Sequence, residues 1–133
     1  MKIVLDTNIF NNKKFCEWLL ESPEKKYLPA FAYLEYLYHN IKKGNTESMV
    51  DMFLEQMNVS VIPFRKEEAL VAALGAIGRW DFKDNARDYS IGATAEKLNG
   101  LLITNNTKDF NWLKNVITPE ELLKKNAFSK GHE

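Results

Sequence analysis

The sequence predicts an α/β fold in which a short parallel sheet of four to five strands is covered by helices on both faces. Three observations predict it. Short apolar runs alternate with segments of helical periodicity along the whole chain. The run "LLIT" at 101–104 is apolar almost throughout, as a strand buried on both faces must be. The first run, "KIVLDTNIF" at 2–10, passes from a strand pattern straight into the ionisable Asp6. In open α/β sheets ligands lie beyond the carboxyl ends of the strands. The 133 residues are expected to form one domain spanning 1–133.

Residues 2–5 read as the first buried strand, short and β-branched. Residues 9–21 read as a helix with Phe10, Phe15, Trp18 and Leu19 on its apolar side, ended by Ser22-Pro23. "KYLPA" at 26–30 is a short strand. The segment 30–43 is a helix on which Phe31, Leu34, Tyr38 and Ile41 recur at three- and four-residue steps, closed by Gly44-Asn45. Its further aromatics, Tyr33 and Tyr36, are then expected on a contact surface. Residues 46–57 form a helix with Met49, Phe53, Leu54 and Met57 inward. "VSVIPF" at 59–64 is a strand, and 66–79 a long helix. Residues 86–98 form another helix, stopped by Asn99-Gly100 before the strand 101–104. Val116-Ile117 is a short fifth strand. Thr118, Pro119 and Glu121 open a last helix over 118–125 with a capping box.

Composition removes several classes. Basic and acidic residues number 18 each, so net charge leaves no nucleic-acid footprint and any such contact must use a local patch. The lone Cys16 allows no internal disulfide and is expected to pack as a small hydrophobe. His39 and His132 have no partner at zinc-ligand spacing. No apolar stretch is long enough to span a membrane and no signal peptide is seen, so a cytoplasmic location is expected.

Four acidic positions stand out. Asp6 ends the first strand; it could cap the following helix, although Asn8 would serve as well. Glu35 lies at the edge of an apolar helical stripe. Asp88 begins a helix whose next positions on that face are Ile91, Gly92 and Ala95; Gly92 implies the close approach of another backbone. Asp109 follows the polar run Thr104-Asn105-Asn106-Thr107 after the strand "LLIT" and would sit in the first turn of a short helix. Carboxylates gathered in one cleft require a balancing cation. Oxygen donors without His or Cys favour Mg²⁺ or Mn²⁺.

The stretches "IVLDTNIF", "AYLEYLYHN" and "RDYSIGATAEKLNGLLITNNTKDF" resemble the successive motifs of the PIN-domain family, in order and over nearly the whole chain. The resemblance implies a three-layer α/β/α sandwich. It also implies a divalent-metal-dependent ribonuclease, in small members often the VapC-type toxin of a toxin–antitoxin pair with an antitoxin partner. Asp6, Glu35 and Asp88 match the acidic metal-site positions. The fourth falls at the neutral Asn106, a departure for which Asp109 would compensate. Thr7, Asn8 and Thr104 match supporting polar positions. The resemblance further implies in-line hydrolysis of RNA that leaves a 5′-phosphate and a 3′-hydroxyl. Arg87, Lys83 and Lys108 are candidate phosphate contacts, and a homodimer is expected.

Other α/β readings fit less well. An aspartyl phosphatase would carry Asp where Asn8 stands. A receiver domain would not place Arg65-Lys66 after its central strand. A dinucleotide-binding domain needs a glycine-rich turn that is missing. A PIN-like module that binds RNA or protein without catalysis remains the alternative, on the strength of Asn106.

Overall fold

The structure, a computed structural model, describes residues 2–131, with side chains described through 126; His132 lies outside the described residues. Its elements are β1 (Lys2–Leu5), α1 (Lys13–Glu21), β2 (Lys26–Pro29), α2 (Ala30–Lys42), α3 (Glu47–Gln56), β3 (Val59–Ile62), α4 (Lys66–Ala76), α5 (Phe82–Lys97), β4 (Gly100–Ile103), β5 (Val116–Ile117) and α6 (Pro119–Gly131). The five strands form one parallel sheet in the order β3-β2-β1-β4-β5. Right-handed crossovers put α1, α2 and α3 on one face, and α4 and α5 on the other. This is the α/β/α sandwich the sequence predicts.

Strand order reverses between β1 and β4, and a crevice opens at such a point beyond the strand ends. The two strands are in register from Lys2–Gly100 to Leu5–Ile103, and the Asp6 amide donates to the Ile103 carbonyl. Val4, Leu5, Leu102 and Ile103 are buried without remainder, which explains their near-continuous apolar runs.

Several boundaries differ from the sequence reading. The predicted helix over 9–21 is two pieces, a 3₁₀ turn at Thr7–Asn11 and then α1. Asn12 separates them in extended conformation, its side chain accepting from the Phe15 amide. The helix predicted over 66–79 stops at Ala76, because Ile77 is extended and Gly78 takes φ +83°. On α3 the buried line is Val50, Leu54 and Met57, while Met49 is exposed beside the Thr46 cap. The α2 assignment inverts. Leu34, Tyr38 and Ile41 are more than half exposed and Phe31 partly so, whereas Tyr33 and Tyr36 pack on the core. Tyr36 stacks on Phe10 at 4.2 Å, and the Tyr33 hydroxyl donates to Asp51. Ala32 is the wholly buried position on α2.

What approaches Gly92 is a side chain. The Trp112 indole is wedged between α4 and α5, so a Cβ on Gly92 would lie 2.6 Å from it and one on Gly75 2.7 Å. The sequence gives no warning of a fully buried lysine either. Lys26 Nζ donates to the Leu19 and Ser22 carbonyls at the end of α1, where burial lowers its pKa but the free carbonyls hold the charge.

Candidate metal centre

Three elements deliver the acidic residues to the crevice. Asp6 follows β1 and is almost wholly buried. Its side chain accepts from the Thr7 amide at 2.7 Å and from the Thr104 hydroxyl at 2.8 Å. Asp6 thus caps the 3₁₀ turn as well as facing the crevice, so the local role and the cleft role coincide. Glu35 reaches down from α2, its Oε1 accepting from the Thr7 hydroxyl at 3.0 Å; that hydroxyl lies equally close to the Ala32 carbonyl. Asp88 comes from α5, in the first regular turn after a kink at Asn85.

Thr104 follows β4 directly and is fully buried. Its oxygen donates to Asp6 and accepts from the Asn106 amide at 3.1 Å and the Asn8 amide group at 3.4 Å. Asn8 in turn accepts from the Asn105 amide at 3.1 Å. Thr7 and Thr104 thus bond the carboxylates directly, and Asn8, through Thr104 and Asn105, ties the β1 and β4 ends together. Asn106 is exposed at the edge of the crevice, and Asp109 is exposed on a 3₁₀ turn at Thr107–Phe110. Neither is bonded to the acid cluster, although Asp109 is near enough to Asp88 to raise its pKa.

The centre of the cluster is Arg87. Its Nε donates to both Glu35 oxygens at 2.7 and 2.8 Å, Nη1 to Asp88 at 2.6 Å, and Nη2 to Asp6 at 2.6 Å. From the sequence Arg87 is a candidate phosphate contact near the cleft; here its guanidinium is spent on the acids, because three carboxylates this close need a cation among them. The pKa shifts follow. Burial alone would push Glu35 up, but Arg87 and the Thr7 hydroxyl hold it below its ordinary value. Asp88 is raised, first by burial and then by Asp109 and Asp6, against the pull of Arg87.

A cavity of about 690 Å³ adjoins the cluster, with Thr7, Glu35, Arg87 and Asn106 at one end and Tyr36, His39 and Lys43 along its wall. Lys83 and Lys108 are exposed and do not line it. His39 and Lys43 were missed. Their signal is the four-residue spacing Glu35-His39-Lys43, which stacks all three on one side of α2. The half-buried Cys16 also lines this cavity, its Sγ 3.4 Å from the Phe10 carbonyl.

The donor set suits a hard divalent cation: carboxylate oxygens, with supporting hydroxyl and amide groups. The guanidinium already demonstrates that one positive group can contact all three acids at once. As they stand, no group of three His, Cys, Asp or Glu among the described residues is spaced to hold a metal ion.

The sequence model of the PIN domain matches residues 3–114, from the first strand past the second acidic turn. The chain belongs to the PIN-domain family. No curated protein matches it in sequence. Among solved structures, a toxin–antitoxin complex from Klebsiella pneumoniae is similar at 26% identity and TM-score 0.71, over 89% of this chain and 98% of that one. FitAcB from Neisseria gonorrhoeae is similar at 25% identity and TM-score 0.64, over 88% and 97%. VapBC-1 from nontypeable Haemophilus influenzae shares the fold at 20% identity and TM-score 0.67, over 90% and 99%. PIN-domain membership and the fold that the sequence motifs imply are thus borne out. No helix among the described residues is long and apolar enough to cross a membrane.

Proposed function

We propose that this PIN-domain chain is an Mg²⁺- or Mn²⁺-dependent endoribonuclease and the toxin of a toxin–antitoxin pair. The observation that carries the reading is the meeting of Asp6, Glu35 and Asp88, from three separate elements, around one positive group at the strand-order reversal. In this reading those three carboxylates hold the ion, with Asn106 and Asp109 flanking it and Thr7, Asn8 and Thr104 fixing the acids. A divalent cation held by these acids would lower the pKa of an attacking water and offset charge on the departing 3′ oxygen of the RNA. His39 and Lys43 along the cavity wall meet the phosphate backbone. The likeness to toxin–antitoxin complexes supports an antitoxin as partner, and the exposed apolar side of α2 supports a homodimer. A single domain over 1–133 and a cytoplasmic location complete the proposal.

The guanidinium amid the acids favours one alternative, a PIN-like module that binds RNA or protein without cleaving it. RNA cleavage with Mn²⁺ separates the two. The parent should cleave, and Asp6→Asn and Asp88→Asn should each lose about 100-fold or more, beyond the loss expected of an outer hydrogen-bond partner. Circular dichroism should show both variants folded. Equal cleavage by parent and variants rejects the assignment of these residues, and no cleavage by the parent favours the binding module.

A further inference from the structure

Every hydrogen-bonding edge of the Arg87 guanidinium is directed at a carboxylate: Nε at Glu35, Nη1 at Asp88, and Nη2 at Asp6 and at Glu35. It lies where a cation shared by the three acids would lie. Oxygen ligands approach Mg²⁺ at about 2.0–2.1 Å. They cannot converge to that distance while a planar group stands among them with each nitrogen 2.6–2.8 Å from its oxygen. Arg87 is also able to leave. Its side chain is 36% exposed and lines the cavity of about 690 Å³, so a path away from the acids is open to it.

We propose that Arg87 is a positioning residue that acts as resident counter-cation: it holds the three carboxylates together in the metal-free protein and competes with the divalent ion for them, so that the ion enters only as the guanidinium swings out into the cavity. The inference rests on the reading of these acids as the metal site. One consequence is quantitative. Apparent metal affinity is the intrinsic affinity scaled by the fraction of molecules with the guanidinium already out. If that fraction is below about one tenth, removing the guanidinium tightens binding about tenfold or more.

The test is calorimetric titration of the full chain with Mn²⁺, without RNA. Arg87→Gln, which keeps a polar hydrogen-bonding end but neither the charge nor the reach, should bind about tenfold more tightly than the parent, and Asp6→Asn should bind far more weakly. Equal or weaker binding by Arg87→Gln, with the parent still binding and Asp6→Asn impaired, overturns the competition and leaves the metal site standing. No binding by parent or variant overturns both. Should Arg87→Gln fail to fold, the parent supplies the answer through its arginine Nε–H resonances, assigned by Arg65→Lys and Arg79→Lys. Saturating Mg²⁺ should move the Arg87 resonance to the position and exchange rate of a solvated guanidinium. An unmoved Arg87 resonance in Mg²⁺-saturated protein refutes the proposal.

Discussion

Gly92→Ala gives the sharpest test of how the cleft is built, because two effects of opposite sign compete there. In an open helix the change would stabilise by about 1 kcal/mol, since Ala restricts the unfolded chain and favours the helix. Here the new Cβ would stand 2.6 Å from the Trp112 ring, against roughly 3.5–4.0 Å for a comfortable carbon contact. The ring cannot retreat, since Gly75 on α4 has room for hydrogen alone, with its own Cβ position 2.7 Å away. A jam with no escape belongs at the upper end of overpacking penalties, about 3 kcal/mol. The net expectation is a loss of about 2 kcal/mol in urea unfolding. In a Trp112→Leu background the 2.6 Å clash is relieved and only the movable Leu113 methyl at 3.2 Å must give way, so Gly92→Ala should revert to stabilising, a coupling of about 2–3 kcal/mol across the cycle. Stabilisation by Gly92→Ala in the parent, or additivity within about 0.5 kcal/mol, would refute the wedge.

Thr104→Val removes a donor from buried Asp6 and an acceptor from the part-buried Asn106 amide; it should lower stability by about 2 kcal/mol and slow RNA cleavage about 10- to 100-fold. Unchanged melts and rates would show that Thr104 does not fix Asp6. Buried Glu68 caps α4 with Arg65, and although burial pushes its carboxyl up, Arg65 and the helix amides bring it below the ordinary 4.5. Its contribution is therefore present above about pH 4.5 and fades as pH falls through the depressed folded value. The stability gap between parent and Glu68→Gln should be open at pH 7 and shrink below pH 4.5; a gap constant with pH contradicts the pairing. Light scattering should report twice the 15.4 kDa chain mass, with Leu34→Glu reverting to a single chain if α2 forms the contact. A single-chain mass for the parent rejects the dimer.

The central strands were legible because β1 and β4 bury both faces, and a double-sided strand leaves a short apolar run bounded by polar or turn residues. The order of the acids along the chain was legible for a similar reason: strand ends and helix starts are fixed points, so Asp6 and Asp88 could be placed without coordinates. The outward face of α2 was not. Phe31, Leu34, Tyr38 and Ile41 keep helical spacing as faithfully as any core stripe, and periodicity states that a face exists without stating which way it turns. Nor was the inward turn of Arg87 legible. A basic residue beside an acid reads as a solvated pair until its carboxylate neighbours arrive from 52 and 81 residues away. The Trp112 wedge was hidden the same way, since Gly75 and Gly92 reveal a missing Cβ and not what fills the space.

Charge supplies the last step from geometry to the number of ions. Asp6, Glu35 and Asp88 bring three negative charges, and Arg87 returns one. Were the position at Asn106 acidic, the crevice would hold a fourth, and like charges at this separation do not ionise together without more positive charge nearby. The neutral Asn106 lowers that demand, and Asp109 sits too far out to bond with the cluster while still raising Asp88. With the guanidinium swung aside but still bordering the cavity, two negative charges remain uncompensated. In the proposed nuclease one divalent cation would balance them, and a second would face a surplus of its own sign. Asn106 and Arg87 thus act in the same direction: both trim the charge of the crevice to what a single ion can satisfy.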